Sequence, residues 1–144
     1  MTPATTEPMN PQQSTDEFLL LIRGTHWSQG LSPAELQRIM TDFYAWVEGL
    51  SHQGIHRGAQ PLVEEGRLVS GPGGATVTDG VFAESKEAIA GYFRLGVRTL
   101  DDAVRVAQAC PILAYGATIE VRPIADLCRP MAEVKTHVSV PFSP

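Results

Sequence analysis

The residues between Ser32 and Gly54 constrain the fold more than any other part of the chain. Ser32 is a typical N-cap, Pro33 suits the first helical position, and Glu35 completes a capping box. An apolar stripe then recurs at helical spacing: Leu36, Ile39, Met40, Phe43, Trp46, Val47 and Leu50. Gly54 suits the left-handed residue that ends a helix. The pattern predicts a helix of about 20 residues, longer than the average of about 11–12, which has to cover most of one sheet face.

The first predicted strand, Glu17 to Arg23, is apolar on both of its faces. Phe18 to Ile22 is an uninterrupted apolar run, and such runs are typical of strands that are buried on both sides. Because the helices cover only one face of the sheet, the other face needs a second cover. A second copy of the chain can supply that cover, so the sequence predicts a homodimer.

The remaining elements follow an order that predicts the fold class. Further patterns predict strands over 55–62, 89–97 and 116–123 and a hairpin over 66–78. Thr99 is the predicted N-cap of a second helix, which Pro111 ends. Gly58 and Pro61 place the second strand at a bulge or an edge. The order β-α-β-(hairpin)-β-α-β predicts an α+β protein with a ferredoxin-like βαββαβ antiparallel sheet and two helices on one face.

The two ends of the chain differ in composition from its middle. Residues 1–15 are polar and rich in proline and threonine, which predicts a disordered N-terminal tail. Residues 16–126 form the predicted domain. Residues 127–144 are a predicted C-terminal arm or tail, in which a weak alternation from Val134 to Val140 favours either an extra edge strand or an arm on a partner.

Composition and charge argue against several classes of partner and cofactor. The chain has 11 Lys and Arg against 16 Asp and Glu, a net charge of −5, which disfavours nucleic acids and anionic membranes. No stretch approaches the roughly 20 apolar residues that span a bilayer, and no signal-peptide pattern is present. Cys110 and Cys128 predict neither a disulfide framework nor a zinc site. We expect a cytoplasmic protein without a metal or cofactor.

Several motifs between residues 17 and 125 combine into a specific pattern. The strongest is Asp79 to Glu87 (DGVFAESKE), which Gly91-Tyr92-Phe93 follows. With Cys110-Pro111 and Gly116 to Pro123 (GATIEVRP), it resembles the YCII-related family, DGPF-domain branch, although Val81 stands where that branch has proline. The resemblance implies a dimeric α/β barrel in which two sheets pack face to face. The wider family is described as having a His–Asp pair for acid/base work, and some members are associated with alternative sigma factors.

The candidate catalytic residues are His56 and Asp79. Histidine is the most common general base near neutral pH. His56, on the second predicted strand, would reproduce the family's His–Asp arrangement if it paired with Asp79. The structural alternative is that Asp79-Gly80 forms a turn and that His56 is an ordinary strand residue.

The candidate substrate-binding residues are polar side chains of the Asp79 segment and of two strands. They are Glu84, Lys86, Tyr92, Glu120 and Arg122. Glu84 and Lys86 either bind a polar substrate or belong to a solvated loop. Glu120 and Arg122 share one face of the last strand, where they either line a ligand site or pair with each other.

Two functions therefore stay open at the level of sequence. One is a small homodimeric enzyme without a cofactor, which uses acid/base chemistry on a small polar molecule near the Asp79 segment. The other is a non-catalytic ligand-binding or regulatory module, linked to transcription by alternative sigma factors. Whether His56, Asp79 and Glu84 converge separates the two, because proton transfer needs groups within hydrogen-bond reach of the substrate.

Overall fold

The computed structural model describes residues 13–24, 26–80 and 88–135, and within them an α+β architecture. The described part of the chain contains six strands: β1 (Gln13–Arg23), β2 (His56–Pro61), β3 (Gly66–Ser70), β4 (Thr76–Gly80), β5 (Ile89–Leu95) and β6 (Thr118–Ala125). Three α-helices accompany them: α1 (Pro33–His52), α2 (Leu100–Gln108) and α3 (Arg129–Lys135). Within these ranges, no helix is long and apolar enough to cross a bilayer.

The main sheet has four antiparallel strands in the order β2-β5-β1-β6. Helix α1 connects β1 to β2, and α2 connects β5 to β6, which gives the ferredoxin-like arrangement that the sequence predicts. In the chain, β3 and β4 follow β2 and precede β5. They form a separate two-stranded sheet, in the place of the predicted hairpin. The predicted fold class is confirmed.

Alternate residues of β1 form the centre of the core. Phe18 and Leu20 are fully buried and Ile22 is nearly so. Leu20 lies opposite Phe93 on one side and Val121 on the other, so apolar residues of three strands form a continuous layer under the helices. This layer excludes water from the centre of the sheet, and its burial contributes hydrophobic stabilisation.

The ends of α1 follow the prediction closely. The Ser32 hydroxyl accepts a hydrogen bond from the Glu35 amide at 3.2 Å, and the Ser32 amide donates to the Glu35 carboxylate at 3.3 Å. Gly54 follows the helix with φ of +73°, a conformation that side chains with a Cβ disfavour. Trp46 is half-buried, and its Nε1 donates to the Val106 carbonyl at 3.3 Å, which joins α1 to α2.

Strand β2 has the irregularity that its glycine predicts. It lies at an edge of the sheet and pairs with β5, and the register shifts between His56 and Gly58. His56 lies opposite Leu95 and Ala59 lies opposite Phe93, so these two residues share a face although they are three positions apart. A bulge has this effect because it adds one residue to one strand of the pair.

The structure differs from the prediction at both ends of the domain. β1 begins at Gln13, so residues 13–15 belong to a strand and not to a disordered tail. Gln13 pairs with Ala125 through the backbone, and ladder hydrogen bonds need no apolar side chain. The last strand also lies later than predicted, at Thr118–Ala125 in place of 116–123.

The first part of the predicted C-terminal arm is helical. Residues Arg129–Lys135 form α3, so of the two alternatives for the alternation, an edge strand that includes Val134 is not formed. Pro130 lies in the first turn, where a missing amide hydrogen is tolerated, and an ion pair of 3.8 Å joins Arg129 to Glu133 one turn later. Residues 136–144 lie outside the described residues.

Replacing Ser32 by alanine tests the role of the capping box. The Ser32→Ala variant loses the acceptor for the Glu35 amide, and we expect its free energy of unfolding to fall by about 1 kcal/mol. Urea denaturation followed by circular dichroism measures the change. Ser51→Ala, an exposed serine near the other end of α1, is the matched control and should change stability by less than about 0.5 kcal/mol. Equal effects would show that the cap contributes nothing specific.

Candidate functional site

Three of the predicted substrate-binding residues lie together on the face of the sheet opposite the helices, called here the open face. Tyr92 of β5 and Glu120 of β6 lie on either side of Leu21 of β1 in the strand register. Arg122 follows on the same face of β6, two positions after Glu120. The structure therefore brings Tyr92, Glu120 and Arg122 to one surface, around an apolar centre on β1.

The charged residues of the open face form ion pairs with one another. The Glu120 carboxylate lies 3.4 Å from Arg23 Nε and 3.8 Å from Arg122 Nε. Arg94 Nε lies 3.7 Å from the Glu17 carboxylate. Glu120 and Arg122 thus form the ion pair that is one of the two alternatives left open by the sequence, and their role in a ligand site stays a prediction.

His56 lies on the other face of the sheet, beneath the helices. Its ring packs edge-on against Phe93, with 6.1 Å between the ring centroids. Its Nε2 is shielded from solvent, and within the described residues it has no hydrogen-bond partner. The sheet therefore separates His56 from Tyr92, Glu120 and Arg122, because strands direct alternate side chains to opposite faces.

Asp79 lies on the separate hairpin sheet. It is opposite Arg67 in the register of β3 and β4, and its carboxylate lies 3.3 Å from Arg67 Nε, with 84% of the side chain exposed. Arg67 is thus a described charge partner of Asp79. Glu84 and Lys86 lie outside the described residues. The pairing of His56 with Asp79 and the roles of Glu84 and Lys86 stay predictions.

One carboxyl has a pKa that the structure explains by local helix chemistry. Arg105 and the Thr99 hydroxyl donate hydrogen bonds that hold the pKa of Asp102 below its ordinary value. The charge of Asp102 stabilises the first turn of α2 above the ordinary pKa of aspartate, and this contribution is lost as the pH falls through the lowered pKa. Its partners all belong to α2 or its cap, so the shift has a structural origin.

Cys110 is a buried residue of the core. It is 3% exposed and lies at the end of α2, where burial raises the pKa of its thiol. The reactive form of cysteine is the thiolate. Cys110 is therefore unsuited to act as a nucleophile, whereas Cys128 is exposed.

Thiol titration checks this difference. With Ellman's reagent and no denaturant, we expect Cys128 to react quickly and Cys110 to react only after unfolding, because the reagent needs an accessible thiolate. Cys128→Ser should remove the fast phase entirely. Simultaneous reaction of both thiols in the folded protein would contradict the burial of Cys110.

A cavity of about 340 Å³ lies between α1 and the edge of the sheet formed by β2 and β5. Residues of α1, of both strands and of the neighbouring segments line it: Ile22, Trp27, Met40, Phe43, Tyr44, Val47, Ala59, Gln60, Pro61, Ala90, Gly91, Tyr92, Phe93 and Ile112. None of these described residues carries a charge. Tyr44, Gln60 and Pro61 are exposed, so the cavity reaches the surface.

The α1 stripe does not reveal this cavity, because apolar residues at helical spacing are typical of a helix packed on the core. The signal lies in the facing strands, where Ala59, Ala90 and Gly91 are too small to fill the space under Met40 and Phe43. Protein interiors are packed to nearly crystalline density, so small residues opposite large ones leave a void unless other side chains enter it. Of the predicted site residues within the described ranges, only Tyr92 borders the cavity, and by the strand register its ring lies on the open face and not in the cavity wall.

A family model matches residues 17–127, almost the whole of the described chain, and it is that of the YCII-related domain. The chain belongs to the YCII-related family. No curated protein matches the chain significantly. The family assignment agrees with the ferredoxin-like sheet and with the resemblance noted from the sequence. The description of the YCII-related domain names no activity.

Proposed function

We propose that this YCII-related protein is a non-catalytic ligand-binding module whose site is the cavity between α1 and the β2–β5 edge. The cavity itself carries the proposal. Its volume of about 340 Å³ falls within the range of roughly 300–1,000 Å³ that is typical of small-molecule sites. Apolar and aromatic side chains form most of its wall, which is also typical of such sites.

The positions of the titratable groups favour binding over acid/base catalysis. General acid/base chemistry needs a titratable group within about 2.6–3.2 Å of the proton that moves, or one water away. The described lining of the cavity contains no Asp, Glu, His or Lys. His56 of β2 packs against Phe93 and is not among the residues that line the cavity. A ligand in this cavity is held by packing and by the exclusion of water.

A cavity-filling substitution tests the proposal. Ala59→Phe adds a large side chain on the helix-facing side of β2, and we expect it to abolish binding because it occupies the ligand's space. A thermal-shift screen of a small-molecule fragment library that includes aliphatic and aromatic compounds provides the measurement. The matched control is Ala125→Phe, which introduces the same side chain at an exposed position of β6 and should respond to ligands as the wild type does.

The proposal is contradicted if no fragment stabilises the wild-type protein. It is contradicted equally if the ligands of the wild type stabilise Ala59→Phe to the same extent. Circular dichroism shows whether the Ala59→Phe variant is folded. If it is not, Val47→Phe on α1 fills the same cavity from the opposite wall.

We also propose that the protein is a homodimer whose open faces pack together. Leu19 and Leu21 are half-buried at the centre of this face in a single chain, and burying them fully removes apolar surface from water. The ion pairs around them contain both signs of charge, so a two-fold axis can place unlike charges opposite each other.

The segment from Asp79 to Glu87 supports the DGPF branch within the family. A regulatory link to alternative sigma factors rests on that resemblance alone.

Replacing Leu19 by glutamate tests the dimer. Leu19 lies between Arg94 and Arg122 in the register, so Leu19→Glu is compatible with the folded single chain but removes the apolar centre of the interface. Light scattering should give twice 15.6 kDa for the wild type and 15.6 kDa for Leu19→Glu. The control is Leu100→Glu, at an exposed residue of α2, which should remain dimeric. A monomeric wild type at micromolar concentration would overturn the dimer.

A further inference from the structure

We propose that the ligand of the cavity is an uncharged aromatic compound of one or two fused rings, and that Tyr44 covers it at the mouth. This inference rests on the proposed function, since it names the chemical class that the same site takes. It follows from three properties of the lining: the absence of charge, the volume and the arrangement of aromatic rings.

The lining selects against charged ligands. Within the described residues the wall has no charged side chain that would pair with an ionised group. An ion moved from water into such surroundings loses its hydration without gaining a partner, which is among the most unfavourable changes in protein chemistry. The part of the ligand that enters the cavity is therefore uncharged.

The volume sets the size of the ligand. An apolar cavity of about 150 Å³ in another protein accommodates one benzene ring. The cavity in this protein is about 340 Å³, which is room for two fused rings. A longer molecule would extend into solvent beyond the exposed residues at the mouth.

The rings of the wall favour an aromatic ligand over an aliphatic one of equal size. Phe43 and Phe93 pack edge to face, with centroids 5.9 Å apart and an interplanar angle of 61°. Trp27 and Tyr44 also contribute to the lining. A ligand ring among them gains edge-to-face and stacked contacts, which exceed the contribution of buried area alone. The thioether of Met40, also in the lining, adds a favourable contact to an aromatic edge.

Tyr44 is placed to contact the ligand without supporting the fold. It lies one turn after Met40 on α1, next to the apolar stripe, and 64% of it is exposed. Its ring lies 6.0 Å from that of Phe43 at an interplanar angle of 74°. When a ligand covers an aromatic residue that is exposed at the mouth of a cavity, apolar surface of that residue is removed from water. Its hydrophobic contribution therefore adds to the free energy of binding and not to that of folding.

Three matched probes test the ligand class by isothermal titration calorimetry on the full chain. They are 2-naphthol, its saturated analogue decahydro-2-naphthol, and the anion 2-naphthoate. We expect 2-naphthol to bind about threefold or more tightly than the saturated analogue, because only the aromatic probe makes ring contacts. We expect 2-naphthoate to bind at least about tenfold more weakly than 2-naphthol, because its charge has no partner in the wall.

Tyr44→Ala tests the contact at the mouth. It should weaken the binding of 2-naphthol by about threefold or more, since it removes one ring from the site, and should leave the melting temperature nearly unchanged. Tyr115→Ala is the matched control, because Tyr115 is also an exposed tyrosine and does not line the cavity. It should bind 2-naphthol as the wild type does.

The outcomes separate this inference from the proposed function. Equal affinity for decahydro-2-naphthol, or for 2-naphthoate, overturns the ligand class while the cavity remains a binding site. The class is also overturned if only fragments of other chemistry bind. Unchanged affinity in Tyr44→Ala overturns the contact at the mouth. If no compound binds, or if Ala59→Phe binds 2-naphthol as the wild type does, the proposed function itself fails.

Discussion

The burial of one side of β1 is the interaction on which the rest of the structure depends. Phe18 and Leu20 are fully buried between their neighbours in β5 and β6 and beneath the helices. Because β1 is a central strand, its apolar residues remain buried only while β5, β6 and the helices remain in place. The same arrangement leaves Leu19 and Leu21 on the open face, since successive residues of a strand point to opposite sides. The dimer that we propose is a consequence of that alternation.

The cavity arises where this core layer ends. Near β1 the strands carry large side chains, such as those of Leu20 and Phe93, which pack against the helices. Towards the β2 edge the strands carry Ala59, Ala90 and Gly91, while α1 continues with large side chains. Because α1 continues as one helix above both parts of the sheet, the small strand residues leave a space beneath it. It is uncharged for the same reason that the core is: it is built from the inner faces of these elements.

The candidate polar residues illustrate how much of a site can be inferred from sequence. Glu120 and Arg122 were correctly grouped, because alternation along a strand predicts a shared face. The face of His56 was not predictable in this way. The bulge at Gly58 changes the alternation within β2, so His56 and Ala59 lie on the same side. Asp79 has Arg67 opposite it only because the hairpin adopts one particular register, and register depends on both strands.

The sequence by itself determined the elements and their order. The caps of α1 and α2, the apolar run of β1 and the turn residues of the hairpin act over a few positions, so local patterns were sufficient to predict them and the ferredoxin-like order that they form. Only the tertiary structure decided which residues face each other: the ion pairs of the open face, the position of His56 beside Phe93, and the space left over Ala59 and Gly91. These features depend on the packing of residues distant in the chain, where the volume of one side chain matters only in relation to the one opposite it.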